Sequence, residues 1–149
     1  MNWYDLLVVS QKFLVFGCIG WLVEVIFTGV ASILHGDKKA VCQTYLWMAP
    51  LYGLIGLILE VMRAVPIPFW LKAPLLYVPL FYLAEFGYGW LLEHLIGVCP
   101  WNYGRGRWTP AGLINLKYAP FWLALALFAD PLARILQVCV EAANKAFGA

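Results

Sequence analysis

The chain has 149 residues, of which 64% are hydrophobic and 12% are charged, and its formal net charge is +2. Soluble globular proteins are about half apolar and about a quarter charged. A soluble domain of this size could not bury so much apolar surface, so the composition predicts an integral membrane protein in contact with the lipid bilayer. The Lys and Arg residues are scattered over short loops, which excludes a nucleic-acid partner.

Four apolar segments match the roughly 20 residues that a helix needs to cross the hydrocarbon core. They comprise residues 13–34, 45–62, 73–98 and 118–140. The first is too long for the core of a signal peptide, so we expect it to stay in the mature chain. The pattern predicts an all-α, polytopic four-transmembrane-helix bundle, a single transmembrane domain over residues 1–149 with both termini on the same side. Basic residues are divided almost evenly between the two faces and favour termini outside only slightly, so the side stays open.

An internal similarity links three of the four segments. Residues Gly17–Val25 are echoed by Gly53–Val61, and Gly20–Glu24 are echoed by Gly89–Glu93. A genuine duplication would make the helices two parallel helical-hairpin repeats, an arrangement found in transporters and elsewhere. Short apolar sequences also recur by chance, so both explanations stay open.

Most of the acidic residues lie inside the apolar segments, where a charge costs roughly 2.5–3.5 kcal/mol on insertion scales. These intramembrane acids are Glu24, Glu60, Glu85, Glu93 and Asp130. Asp130 is four residues before Arg134, on the same helix face, and we interpret these two residues as a structural ion pair. Glu60 lies near the end of its segment, where it can pair locally with Arg63.

The remaining acids are the candidates for a ligand, ion or proton site. Glu24 follows Gly17 and Gly20 and precedes Thr28 at helical spacing, which gives one helix face a small polar stripe suited to close packing. Glu85 and Glu93 are about 80° apart around one helix. We expect Glu24, Glu85 and Glu93 to line an acidic cleft.

Two further features flank this cleft. The long third loop could cap it through Trp101, Asn102 and Tyr103, although a seat for the loop at the membrane interface is the interpretation that we favour for Trp101 and Tyr103. His94 could serve as an accessory metal ligand or proton relay, or as an interfacial histidine without a chemical task.

Sequence motifs for known catalytic or nucleotide sites are absent from the chain. It contains no P-loop, GxGxxG, HExxH or Cys-x-x-Cys pattern and no Ser-His-Asp order, so we assign no catalytic residue, metal or cofactor. Any ATP-driven activity would need a partner. Cys42 and Cys99 lie in loops expected on one face: if that face is extracytoplasmic they could form a disulfide, and if it is cytoplasmic they should remain thiols.

Several of these sequences together resemble a known family. Residues Glu85–Glu93, Cys99–Tyr103 and Gly112–Leu116, with Gly20–Glu24 in the first segment, are similar to the small bacterial membrane proteins called "putative ABC-transporter type IV" and to related small vertebrate transmembrane proteins. The resemblance covers nearly the whole chain and implies a bacterial inner-membrane protein. Asn102 and Gly104 stand where that family usually has Asp and Ser.

Three functions are compatible with this sequence. The first is a permease-like or channel-like protein whose acidic cleft binds a cation, a proton or a small polar molecule, acting as a homo-oligomer or with a partner membrane subunit. The second is a non-catalytic structural or accessory subunit whose acids are protonated hydrogen-bond partners between helices. The third is a membrane-embedded enzyme acting on lipid or isoprenoid, with Glu85 or Glu93 and His94 as acid-base or metal groups.

Overall fold

A computed structural model describes residues 3–147, except for the side chains of Asp130 and Phe147. Its helices are α1 (Trp3–Leu34), α2 (Met48–Arg63), α3 (Phe69–Lys72), α4 (Val78–Ile96) and α5 (Ala119–Phe147). A π-helical turn, Ala73–Tyr77, joins α3 to α4, and short 3-10 turns occupy Pro110–Gly112 and Leu116–Tyr118. The described residues contain no strand beyond an isolated bridge between Gly106 and Thr109, so the all-α prediction is confirmed.

Two of these helical stretches are long and apolar enough to cross a membrane. They are Trp3–Leu34 and the continuous stretch Phe69–Ile96; a third span exists if Leu116–Ala129 and Pro131–Ala146, bent by 42°, count as one. The predicted span 45–62 corresponds to α2, whose 16 residues extend about 24 Å, less than the hydrocarbon thickness. Two or three spans are therefore supported in the described residues, and the count of four stays a prediction.

Prolines explain where the long helices depart from regular geometry. Pro79 has no backbone N–H and its ring crowds the carbonyl one turn earlier, which a widened π-helical turn at Ala73–Tyr77 accommodates. Pro131 lies within α5, where the same effect accounts for the 42° bend. At the other end of α4, Gly97 has φ +79° and ends the helix.

The chain divides into two compact units, the first comprising residues 1–57 and 136–149. In this unit α1 and α2 cross antiparallel through reciprocal glycine contacts. A Cβ at Gly17 would lie 2.7 Å from the Ala49 carbonyl oxygen, and a Cβ at Gly53 would lie 2.7 Å from the Phe13 carbonyl oxygen. Only glycine allows the two backbones to approach so closely.

The next turn of each helix repeats this reciprocity. A Cβ at Gly20 would overlap the ring of Tyr52, and a Cβ at Gly56 would overlap the ring of Phe16. The similarity of Gly17–Val25 to Gly53–Val61 therefore has a packing reason, because equivalent positions exchange partners across one hairpin. The small-residue stripe on α1 packs within the chain, and duplication of whole hairpins stays a prediction.

The last turns of α5 belong to the same unit and are tied to α1 by an amide pair. Gln11 Nε2 donates to Asn144 Oδ1 at 2.9 Å. Asn144 is only 2% exposed, so this hydrogen bond fixes the register of two apolar helices where nonspecific packing would allow sliding.

The second unit comprises residues 58–135. Its core includes one face of the π turn and α4, made by Tyr77, Phe81, Glu85, Gly89 and Leu92. Phe81 packs against Trp122 of α5 with ring centroids 5.3 Å apart. Lys72 is also buried, and its Nζ donates to the carbonyl oxygen of Arg63 at 2.9 Å, which satisfies the C-terminal end of α2.

Candidate functional site

Glu24 lies on α1, half-buried, with two hydroxyl groups directed at its carboxylate. Its Oε2 accepts a hydrogen bond from Thr44 Oγ1 at 2.9 Å and one from the Tyr52 hydroxyl at 3.2 Å. Thr44 belongs to the loop before α2, and Tyr52 belongs to α2 itself. Gly20, one turn before Glu24, leaves the space that lets the Tyr52 ring lie against α1.

Thr28 holds the loop in place beside this carboxylate. Its Oγ1 donates to the backbone oxygen of Glu24 at 2.9 Å and accepts from the backbone N–H of Gln43 at 3.1 Å. The predicted polar stripe from Gly17 to Thr28 thus faces α2 and the adjoining loop along its length. Glu24 is the carboxylate of that stripe.

The loop between α1 and α2 begins with an Asx turn at Asp37. Asp37 Oδ1 accepts from the backbone N–H of Lys39 at 2.9 Å, and Oδ2 accepts from the Ser32 hydroxyl at 3.0 Å. These hydrogen bonds hold the pKa of Asp37 below its usual value. Further along, Cys42 is exposed and its sulfur lies against Gly29 of α1.

Glu85 lies on α4 and is only 3% exposed. Tyr103, from the loop after α4, donates its hydroxyl hydrogen to Glu85 Oε1 at 2.7 Å. The Tyr103 ring meets Tyr118 edge-on, with centroids 5.8 Å apart. The Tyr82 hydroxyl is within 3.3 Å of the Leu116 carbonyl oxygen and ties the far end of the same loop to α4. The loop therefore lies over the Glu85 carboxylate.

Trp101 anchors the start of this loop inside the protein. It is 6% exposed, its Nε1 donates to the Leu113 carbonyl oxygen at 2.9 Å, and its ring stacks on Tyr88 with centroids 6.3 Å apart. Gly89 makes room for it, since a Cβ there would lie 3.1 Å from the Trp101 ring. The start of the loop is thus packed on α4 through Trp101, and both predicted roles of the loop, as a cap of the cleft and as a seat at the membrane interface, stay predictions.

The middle residues of the cap form a turn. Asn102 is exposed, and its Oδ1 accepts from the backbone N–H of Gly104 at 2.8 Å. Gly104 has φ +70° and Gly112 has φ +77°, conformations that glycine adopts without the strain of a side chain. The Asn and Gly that differ from the usual Asp and Ser are thus used to shape the loop.

The other predicted residues are placed apart from these hydrogen bonds. Glu93 and His94 are both exposed at the end of α4, and the His94 ring lies 4.1 Å from the ring of Trp90. Arg134 is exposed, but the side chain of Asp130 lies outside the described residues, so the ion pair stays a prediction. Within the described part of the chain, no three His, Cys, Asp or Glu side chains are grouped to hold a metal ion.

Cys99 lies next to the cap and is partly buried, and all four cysteines are free thiols. Burial raises the pKa of the Cys99 thiol, and the nearby carboxylates of Glu93 and Glu85 raise it further. A hydrogen bond from the Trp101 backbone opposes this increase only in part.

Sequence reasoning missed the hydroxyl donors Thr44 and Tyr52 and the buried cation Lys72. Tyr52 directly precedes Gly53, so aligning the two glycine patterns would have directed attention to it. Thr44 offers no comparable pattern, because its contact with Glu24 depends on the path of the loop. Lys72 follows a Pro-rich turn, and this sequence context is typical of an exposed loop cation.

The profile of the family described as "putative ABC-transporter type IV" matches residues 11–147. The chain belongs to this family. No solved structure matches it. The matched residues include both helix–loop regions that carry Glu24 and Glu85.

Proposed function

We propose that this protein is a permease-like component of a membrane transport system in which Glu24 and Glu85 handle a proton, a cation or a small polar molecule. The observation that carries the proposal is the Glu85 carboxylate, 3% exposed on an apolar helix and bonded to a tyrosine from the following loop. Ionisable groups within membrane spans are costly and typically mark the path of an ion or substrate.

Each of the two carboxylates accepts a hydrogen bond from a loop residue, and a loop can move away from the carboxylate. Tyr103 belongs to a loop, so it can leave Glu85 without breaking a helix. Thr44 stands in the same relation to Glu24, since it too comes from the loop that follows the helix. A carboxylate with a hydroxyl partner can exchange that partner for a bound cation or for a proton.

Glu93 is the third acid of this proposal and serves as its outer group. It is exposed, and it lies about 12 Å along α4 from Glu85, toward the loop. An acid at that position would attract a cation toward the region that the loop covers.

Partners form part of the same proposal. The two or three spans supported in the described residues are few for a complete pathway, which favours a homo-oligomer or a partner membrane subunit. The family's description names ABC transporters, and this chain has no nucleotide-binding motif of its own. We therefore propose that any ATP-driven activity of this protein needs a partner.

The test is ion flux into proteoliposomes that contain the full chain. Liposomes loaded with a pH-sensitive or Na⁺-sensitive dye receive an imposed H⁺ or Na⁺ gradient. We expect the wild type to exceed protein-free liposomes, Glu85→Gln to abolish the excess and Glu24→Gln to reduce it. Glu141→Gln is the matched control, because Glu141 is exposed on α5 and accepts from Gln137 at 3.0 Å. Flux equal to that of empty liposomes, or equal loss in the control, contradicts the proposal.

The second candidate is a structural subunit, which the contacts of Glu24 favour. Its Oε2 accepts from both a loop and a neighbouring helix, an arrangement that fixes helix register without any ligand. Under this alternative Glu24→Gln and Glu85→Gln leave every activity of the assembled complex intact, whereas the Leu variants lower its stability. Loss of flux in the Gln variants with unchanged thermal stability would exclude it.

A further inference from the structure

We propose that the loop after α4 binds the headgroups of anionic phospholipids through Arg105, Arg107 and Lys117. This interaction surface, the basic tip, comprises residues 104–109 together with Lys117. It is independent of whether Glu24 and Glu85 handle a ligand.

Charge is the first reason. The loop from Gly97 to Lys117 contains three cations and no Asp or Glu. All three cations are exposed. In the loop before α2, by contrast, Asp37 accompanies Lys38 and Lys39 and offsets part of their charge. Each basic residue near a negatively charged leaflet favours binding, and no acid within this loop offsets its three cations.

The backbone holds this charge in a defined shape. Tyr103 N–H donates to the Gly112 oxygen at 2.9 Å, and Leu116 N–H donates to the Trp108 oxygen at 2.8 Å. Thr109 N–H donates to the Gly106 oxygen at 3.2 Å and closes the turn between them. The cations are thus presented on a fixed turn, which reduces the entropy lost when a headgroup binds.

An exposed aromatic side chain supports a position of the basic tip at headgroup level. Trp108 is 49% exposed, and the Arg107 guanidinium lies 5.6 Å from the centre of its ring. Exposed tryptophans concentrate at the boundary between hydrocarbon and water, where lipid phosphates also lie. Arg adds specificity, since its planar guanidinium can donate two parallel hydrogen bonds to one phosphate.

These features select anionic phospholipid over other phosphate sources. A zwitterionic headgroup carries its own ammonium group, which opposes three protein cations. Free phosphate in solution lacks the membrane attachment that keeps a lipid phosphate beside Trp108. We therefore expect phosphatidylglycerol to bind more tightly than phosphatidylcholine and to resist competition by inorganic phosphate.

Native mass spectrometry of the purified full chain, titrated with each lipid, measures this binding directly. The test variant is Arg105→Gln with Arg107→Gln, and the matched control is Lys38→Gln with Lys39→Gln, which removes the same charge from the other loop. We expect phosphatidylglycerol affinity to fall roughly 30-fold in the test variant. The control should stay within about twofold of the wild type, since Asp37 already offsets that loop.

Three results would overturn the inference: equal affinity for the two lipids, equal losses in both double variants, or displacement of phosphatidylglycerol by millimolar inorganic phosphate. The last would identify a free-phosphate site.

Arg105→Lys with Arg107→Lys keeps the charge and so guards against a folding defect; we expect it to retain part of the binding. Affinity equal to that of the Gln variant, with normal thermal unfolding, would also argue against the electrostatic basis.

Discussion

Glu24 and Glu85 are both carboxylic acids on apolar helices. They differ in how deeply they are buried and in which parts of the chain supply their hydrogen-bond donors. Glu24 is half-buried, and its donors come from a loop and from the helix packed beside it. Glu85 is 3% exposed and receives its hydrogen bond from Tyr103, on a loop anchored by buried Trp101. The first site is held by helix packing, and the second is covered by a folded loop.

Both acids have a glycine one helical turn away that makes room for an aromatic ring. Gly20 lies one turn before Glu24 and admits the ring of Tyr52, while Gly89 lies one turn after Glu85 and admits the ring of Trp101. Each glycine lets an aromatic residue approach the helix backbone next to an acid. A glycine one turn from an acid on an apolar helix is thus part of the acid's surroundings, and the aromatic residue that it admits comes from a helix at Glu24 and from a loop at Glu85.

The largest expected effect comes from removing the close helix contact that supports the Glu24 region. Gly53→Ala would place its Cβ 2.7 Å from a backbone oxygen of Phe13, so α1 and α2 must separate. Overpacking of this kind costs about 1–3 kcal/mol. We expect a clearly lower midpoint in thermal unfolding of the purified protein.

Gly87→Ala on α4 makes the same chemical change where a Cβ would meet nothing within 4 Å. Because Ala favours helix over Gly by up to about 1 kcal/mol, this control should be neutral or slightly stabilising. Equal destabilisation by the two variants would show that the glycines act through helix propensity and not through the close crossing.

A smaller effect should distinguish the two acids by their burial. Glu85→Leu removes the acceptor of the Tyr103 hydroxyl at a position that is only 3% exposed, whereas Glu85→Gln retains a carbonyl oxygen. Hydrogen bonds between membrane helices are worth about 0.6 kcal/mol on average and up to about 1.7. We expect Glu85→Leu to lower the unfolding midpoint more than Glu85→Gln does.

The corresponding Leu–Gln difference at Glu24 should be smaller, because Glu24 is half-buried and water can replace the carboxylate as a partner of Thr44 and Tyr52. The unfolding midpoints of the four variants are compared in the same detergent. If the difference at Glu24 exceeds that at Glu85, helix packing protects its carboxylate better than the loop does.

Sequence reasoning was sufficient for the all-α class and for identifying the unusual acids. Each of the four apolar segments predicts a helix, because membranes leave few other ways to satisfy the backbone, but α1 begins at Trp3, ten residues before the predicted start at residue 13. The length of α2 was less predictable, since residues 45–47 are as apolar as a helix yet form the turn that brings Thr44 to Glu24. The π-helical turn before α4 depends on how the chain relieves the crowding of Pro79, which periodicity does not specify.

The surroundings of the acids were predictable only where local spacing decides them. Gly20, Glu24 and Thr28 share a helix face by spacing alone, and they do lie along the same contact. Tyr103 was among the cap residues predicted from the loop, but its bond to Glu85 and the burial of Trp101 depend on the turns at Gly104 and Gly112. Long-range contacts of this kind depend on the path of the loop, which no local sequence pattern predicts.

The smallest effect concerns the cysteine next to each acid region. Cys42 lies on Gly29 and is exposed, whereas Cys99 lies near Gly89, is partly buried, and has a raised pKa because of that burial. Thiolate is the reactive form, so a raised pKa means less thiolate at a given pH. In variants that keep one of these two cysteines and replace the other three with Ser, we expect a membrane-impermeant maleimide to label Cys42 faster at pH 7.5 on detergent-solubilised protein.

The pH dependence separates burial from simple shielding. Since burial raises the pKa of Cys99, its labelling rate should continue to increase with pH into alkaline solution. A Cys99 rate that levels off near the ordinary cysteine pKa of about 8.5 would mean that the loop only obstructs access to the thiol. Tyr103→Phe sharpens the choice: if the hydroxyl bond to Glu85 holds the loop closed, its loss should speed labelling of Cys99 at pH 7.5 and leave Cys42 unchanged.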